Sequence, residues 1–181
     1  MGTAEKHPPA QFFAGLLVNP AEGFERVREA LAAEWGEIDL ESETWPFDFT
    51  GYYEGEMGTG LLRRFLAFRE LRDLDGLHRT KLASNRIEER LAAGSPADTA
   101  RPVNVDPGYI HHGKLVLFTT KDYSHRIYIA DGIFAEITLN WTKAAWHENP
   151  WTYPDYRSRE YREFFAEVRR RYREKLDGRR G

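Results

Sequence analysis

The sequence predicts an α+β protein: a mostly antiparallel sheet with a ferredoxin-like βαββαβ core, extended by a β-meander and followed by a C-terminal amphipathic helix. Three observations predict it. The apolar run Gln11 to Val18 (QFFAGLLV) is followed at once by a helix-start signal. The stretch from Arg101 to Trp141 is dense in strand-forming residues broken by turn residues. The segment from Arg157 to Leu176 repeats apolar residues at helical spacing. The order is then β-α-β-β-α-β, a meander and a helix, which suits a ferredoxin-like layer with added antiparallel strands.

Taken in order, residues 1–10 read as a short disordered lead, residues 11–177 as one domain and residues 178–181 as a flexible tail. Gln11 to Val18 reads as a buried first strand. Asn19-Pro20-Ala21-Glu22 is a helix start, with Asn as the cap, Pro in the first helical position and Glu at the third. Phe24, Val27 and Leu31 continue at helical spacing and Gly36 ends the helix. Ile38 to Phe49 reads as a strand interrupted near Pro46, and Thr50 to Gly60, with its four glycines, as loop or irregular hairpin. Leu61 to Leu71 (LLRRFLAFREL) fits helix or strand; a strand is favoured because it pairs with its predecessor. A helix is expected from about Leu77, with Ala83, Ile87 and Leu91 on one side and Lys81, Asn85 and Glu88 roughly opposite. Pro102 to Tyr109 reads as a short strand ending in an Asp-Pro-Gly turn.

Lys114 to Thr120 (KLVLFTT) has the composition of a strand buried on both faces. His125 to Ile129 and Ile133 to about Asn140 flank Ala130-Asp131-Gly132, a hairpin turn. A three-residue loop sets Tyr128 opposite Phe134 and Arg126 opposite Glu136. One face then carries Arg126, Tyr128, Phe134, Glu136, Thr138 and Asn140. The other carries Ile127, Ile129, Ile133, Ala135, Ile137 and Leu139, a core face with His125 as its polar member. Thr142 to Tyr156 is an aromatic, proline-punctuated loop, too apolar to hang free and so expected to pack on the sheet. The last helix carries Tyr161, Phe164, Phe165, Val168 and Tyr172 as its apolar stripe, with Arg169, Arg170, Arg171, Arg173 and Lys175 crowding its end.

Composition excludes several function classes. The chain has 181 residues, 41% hydrophobic and 14% aromatic, enough for one sizeable core, and a net charge of −3, a poor overall match for nucleic acid. It has no cysteine, which excludes disulfides, thiolate metal sites and cysteine nucleophiles. No apolar run approaches the roughly 18 residues of a membrane span, and the first residues lack a signal-peptide core; a soluble, cytoplasmic protein is expected. There is no phosphate-binding P-loop and no dinucleotide fingerprint. The histidines form no metalloprotease frame. Carboxylate ligation of Mg²⁺ or Mn²⁺ by Glu54, Glu56, Asp106 or Asp122 stays open. His78-Arg79-Thr80 is a lone copy of a motif that phosphoesterases use twice.

Acid–base candidates are Asp106, His125 and Glu136. Lys114, Lys121 and Arg126 are the cations available to an anion, joined by Thr120 and Asp122 at the hairpin mouth and by Tyr128 on the polar face. Lys81, Asn85 and Tyr153 complete the expected ligand set.

Five segments carry a resemblance: PFDFT-x-YY-x-x-EMG (46–58), VNVDPGY (103–109), KLVL-x-TTKDY-x-HRIYI (114–129), DGI-x-AEITL (131–139) and WTYPDY (151–156). Together they resemble a family of small prokaryotic proteins catalogued as domain of unknown function 4416, from Phe12 to the last helix. The resemblance implies a soluble single-domain protein and no established activity; members are sometimes labelled GTP-binding. It directs attention to the polar and aromatic residues of the motifs, expected to line one cleft on the polar sheet face beneath the Trp151–Tyr156 loop. The expected function is binding of an anionic small molecule, a nucleotide or phosphorylated metabolite, by an enzyme or sensor. The alternative is a protein- or RNA-binding module that uses the basic last helix and the Trp146–Trp151 loop. Neither oligomeric state nor reaction is legible.

Overall fold

The computed structural model describes residues 2–3 and 5–179. Among the described residues, nine strands form one antiparallel sheet. They are β1 (Ala10–Val18), β2 (Ile38–Glu41), β3 (Trp45–Pro46), β4 (Leu62–Arg72), β5 (Val103–His111), β6 (Lys114–Thr119), β7 (Ile127–Ala130), β8 (Ile133–Thr142) and β9 (Ala145–Glu148). The order across the sheet is β2-β4-β1-β5-β6-β8-β7, with β3 also on β4 and β9 also on β8. The helices are α1 (Phe24–Trp35), the single turn α2 (Glu54–Met57), α3 (Arg79–Ala92) and α4 (Arg159–Asp177).

The sheet is covered on both sides. α1 and α3 lie on one face: Val27, Leu31, Trp35, Ala83, Ile87 and Leu91 pack with Phe12, Leu16, Phe68 and Val105. α4 lies on the other, where Tyr161, Phe165, Val168 and Tyr172 pack with Phe13, Phe65, Ile110 and Leu117. Every residue of β1 is buried, as expected of a strand with layers above and below. Ser158 caps α4, its hydroxyl accepting from the Tyr161 N–H.

Several expectations need correction. Asn19 caps a turn instead of the helix: its side chain accepts from Ala21 N–H, Gly23 takes a φ of 72°, and α1 starts only at Phe24. The Gly-rich stretch contains the helical turn α2. Asp106-Pro107-Gly108 does not turn; β5 runs straight through it. Pro107 is tolerated because the strand edge it faces has no partner there, and Gly108 because a Cβ would collide with the Val116 carbonyl oxygen. The aromatic loop contains β9, turned back on β8 at Lys143 and Ala144, both with positive φ.

Tyr128 lies opposite Phe134 as expected, but the loop does not have three residues: Ala130 pairs with Ile133 across a two-residue Asp131-Gly132 turn, both residues with positive φ, and a bulge at Ile129 restores the register. The burial of the hairpin's two faces is only partly as expected: Ile133 and Leu139 are buried and Tyr128 is exposed, but other members are reversed. Glu136 and Thr138 are 2% and 0% exposed, whereas Ile127 and Ile129 on the apolar face are 69% and 46% exposed. The cause is coverage: α1 and α3 sit over β1, β4 and β5 and leave the sheet edge at β7 open, while the 151–156 loop covers the polar side. The expected lead and tail include residues 1, 4, 180 and 181, which lie outside the described residues; Ala10 of the lead is already buried in β1. Among the described residues no helix is long and apolar enough to cross a membrane.

Candidate functional site

The site begins where the sheet stops being a sheet. β5 pairs with β6 only from Gly108↔Leu117 to His111↔Lys114. Backbone groups alternate between the two edges of a strand. Residues 105, 107 and 109 thus point the same way, and Pro107 has no N–H to continue the ladder. Val105 is left with an unpaired N–H and C=O, which α3 satisfies with side chains. Glu88 Oε1 accepts from the Val105 N–H at 2.9 Å and Lys81 Nζ donates to the Val105 carbonyl at 2.8 Å. Seven residues apart, Lys81 and Glu88 share a helix face. They were expected to face away from the core, yet both are buried, because that face meets the open edge of β5.

From there the network spreads. Arg101 donates to Glu88 Oε2 at 2.8 Å and to the Asn104 side-chain oxygen; Asn104 Nδ2 donates to Asp106 Oδ2 at 2.6 Å. Lys81 Nζ lies 3.6 Å from Asp106 Oδ1. On the α4 side of the sheet, Arg63 of β4 lies one strand beyond β1. Its Nη2 donates to Asp155 Oδ2 at 3.0 Å, and its Nη1 stands 3.9 Å from Asp106 Oδ2. Asp106 therefore touches both groups. Its side chain is 28% exposed and that of Arg101 32%, against 9% or less for Arg63, Lys81, Glu88 and Asp155, so the network opens to solvent at these two residues.

The second half of the site is built on β8. Glu136 accepts from Arg126 Nε at 2.7 Å, and its other oxygen accepts from Thr138 at 3.3 Å. His125 Nε2 lies 3.2 Å from the same Oε2. His125 is thus not the polar member of the apolar face: β7 begins only at Ile127, and a turn closed by Arg126 N–H to Tyr123 O brings the ring to the Glu136 side. There it stacks on Trp151, centroids 5.2 Å apart and planes 10° from parallel. Arg126 also donates to the Tyr153 hydroxyl at 2.6 Å and to the Lys121 carbonyl at 3.0 Å. Lys121 Nζ donates to the Tyr52 hydroxyl at 2.8 Å. The 151–156 loop is fixed over these groups by Trp151 Nε1 and Thr152 Oγ1, which donate to the carbonyls of Ile137 and Thr138.

Titration behaviour ties the halves together. Burial raises the Tyr153 pKa, helped by Glu136 and Asp106. Burial and then Asp106 push Tyr53 up to about 12. Burial raises Glu88, with Lys81 and Arg101 pulling the other way, and raises Asp155 against the pull of Arg63. Burial opposes the charge on Arg63, but Asp155 and the other acidic neighbours outweigh it and its pKa rises. Carboxylates and phenols here sit in a dry, charge-dense environment, the kind in which functional groups are tuned.

Of the expected site residues, Lys81, Asp106, Lys121, His125, Arg126, Glu136 and Tyr153 belong to this seam. Asn85 is half-buried, one turn from Lys81 on α3. Thr120 and Asp122 are exposed in the β6–β7 connection, at the mouth. Tyr128 is exposed, edge-on to Phe134 at 5.4 Å, beyond the roof. Lys114 is not brought in: it pairs with His111 and Asn140 at the opposite end of β6. Arg63, Arg101 and Glu88 were absent from the expected set. Arg63 carried a signal, since it shares strand parity with Phe65 and Ala67, and a charge on a core face needs a buried partner. Among the described residues no three histidine or carboxylate side chains are grouped so as to hold a metal ion. Of the features named for the protein- or RNA-binding alternative, Trp146 is buried and Trp151 is 40% exposed; on α4, Arg170 and Arg171 are paired with Glu167 and Glu174, with the Arg170 side chain still 55% exposed. Two open hollows, of about 480 and 470 Å³, lie elsewhere, between α1 and α3 around Glu34, Ala83 and Arg86.

Fold and site together define an α+β protein whose sheet is split and stoppered by a buried polar network. The chain belongs to the family described as a domain of unknown function, DUF4416, whose model matches residues 8–172. No curated protein and no solved structure matches it.

Proposed function

We propose that the seam around Asp106 binds an anionic small molecule, with its charge at Lys121 and Arg126 and its polar body against Asp106, Tyr53 and Tyr153. The observation that carries this reading is the charge arrangement. Arg63, Lys81, Arg101 and Arg126 each stand against a carboxylate. Lys121, by contrast, is hydrogen-bonded to a phenol and to no carboxylate among the described residues, and the Arg126 guanidinium reaches the Lys121 backbone. One cation is left over at the mouth, held in place by Tyr52.

His125 is the group placed to exchange a proton with such a ligand. Glu136 orients its Nε2, and Trp151 fixes its plane, which is the arrangement of a general base with an orienting carboxylate. The scaffold also fits the expected ferredoxin-like core. The order β2-β4-β1-β5 is antiparallel throughout and α1 and α3 share one face, which supports that reading of the first half of the chain.

A thermal-shift screen against inorganic phosphate, nucleotides, sugar phosphates and small carboxylic acids, with and without Mg²⁺ or Mn²⁺, tests the proposal. At a ligand concentration of about 100 times Kd the expected stabilisation is roughly 2.7 kcal/mol, and Lys121→Ala reduces it. No stabilisation by any anion counts against it.

A further inference from the structure

Exposed rings crowd the mouth of the seam. Among the described residues six aromatic side chains are more than a third exposed: Phe49, Tyr52, Tyr123, Tyr128, Trp151 and Tyr153. A single exposed ring needs no explanation, but a group of them marks a contact surface. Four of the six touch the cations or the histidine of the site. Tyr52 accepts from Lys121 Nζ at 2.8 Å, and Tyr153 from Arg126 Nη2 at 2.6 Å. The Tyr123 ring centre lies 4.9 Å from the Arg126 guanidinium carbon, and Trp151 stacks on His125. Tyr123 also lies against His125, centroids 6.0 Å apart and planes 28° from parallel. Tyr52 is braced by Tyr53, the two rings perpendicular at 5.1 Å.

These contacts fix the rings without covering them: Tyr52 is 68% exposed and Tyr123 61%. The exposed isoleucines lie across the sheet, since Ile127 pairs with Ala135, which packs on the α1 and α3 side. The apolar surface at the mouth is therefore aromatic. Flat rings held in place beside a cation suit a flat partner, because ring pairs gain from offset stacking beyond what apolar burial alone supplies.

We propose that the anion bound at Lys121 and Arg126 carries a planar unsaturated ring, which stacks on Tyr52 and Tyr123. This rests on the reading of the seam as an anion site and adds the second half of the ligand. Two sources share this chemistry: an aromatic carboxylic acid and a phosphate ester of a ring-bearing group.

The test uses probe pairs of matched size that share an anion and differ in the ring: phenyl phosphate against cyclohexyl phosphate, and benzoate against cyclohexanecarboxylate. Dissociation constants are read by calorimetric titration of the full chain, of Tyr123→Phe and of the double variant Tyr52→Leu, Tyr123→Leu. Both tyrosines are largely exposed, so the variants keep the fold. The aromatic member of at least one pair should bind about two- to tenfold more tightly than its saturated partner. The pair that shows the preference tells the carboxylate from the phosphate. The preference should persist in Tyr123→Phe and vanish in the double variant. Equal constants within both pairs, or a preference that survives in the double variant, overturn the stacked ring and leave the anion site standing. No binding by any probe removes both.

Discussion

The Arg126–Glu136 pair offers the sharpest perturbation. Glu136 is 2% exposed and depends on Arg126, at 2.7 Å, for its compensating charge. Arg126→Met removes that charge and leaves the carboxylate in place. An uncompensated buried ion costs about 3–5 kcal/mol. The reverse change, Glu136→Leu, is milder, about 1–3 kcal/mol, because Arg126 keeps the Tyr153 hydroxyl and the Lys121 carbonyl as acceptors. Replacing both leaves an apolar contact of similar volume, which is often near neutral. The double variant should therefore be more stable than Arg126→Met alone, with a coupling of at least about 2 kcal/mol. For a domain of this size each kcal/mol is worth roughly 2–4 °C in Tm. Urea unfolding followed by circular dichroism reads all four corners of the cycle. An Arg126→Met penalty below about 1 kcal/mol, or strict additivity, would show that the pair behaves as a solvated surface bridge.

Other expectations follow from the same structure. Burial lowers the His111 pKa to about 4, helped by His7, His112 and Lys114. The folded state thus resists protonation that the unfolded state accepts below its usual value near 6.5. Stability should fall as pH drops from about 6.5 towards 4; urea midpoints across that range should show the slope, reduced in His111→Gln. Gly108→Ala drives a Cβ into the Val116 carbonyl and should cost roughly 1–3 kcal/mol or more. Gly113→Ala, with nothing within 4 Å, should be near neutral when measured the same way. Lys81→Met leaves the Val105 carbonyl and Glu88 short of a partner and should cost about 1–3 kcal/mol, read as a lowered Tm.

What the sequence made legible was local. Alternation placed Tyr128 against Phe134 and Arg126 beside Glu136, because a one-residue slip would flip every side chain; the loop length assumed for that register was wrong, since a two-residue turn is offset by a bulge at Ile129. The asparagine–proline signal after β1 pointed to a nearby helix but not to its first residue, since Gly23 interposes a left-handed break. Burial was misjudged wherever it depended on a distant segment. Ile127 and Ile129 have core chemistry, yet no helix reaches them; Glu136 has surface chemistry, yet residues 151–156 roof it. The stoppering of Val105 by Lys81 and Glu88 was hidden for the same reason. It needs α3 to lie across a strand whose ladder Pro107 interrupts, and neither fact is visible in either segment alone. Asp106, His125 and Glu136 were singled out by their chemistry; Arg63 was passed over because its segment also fits a helix, so its strand parity with Phe65 and Ala67 was not weighed.

On the proposed reading, a small molecule meets this protein at the polar seam and not in the grooves between α1 and α3. Chemical-shift mapping tests it most directly: amide resonances followed during titration with the anion that gives the largest thermal shift. The changes should fall together on Tyr53, Asn104, Asp106, Arg126 and Tyr153. Changes confined to Glu34, Ala83, Arg86 and their neighbours, or spread evenly over the surface, would contradict it.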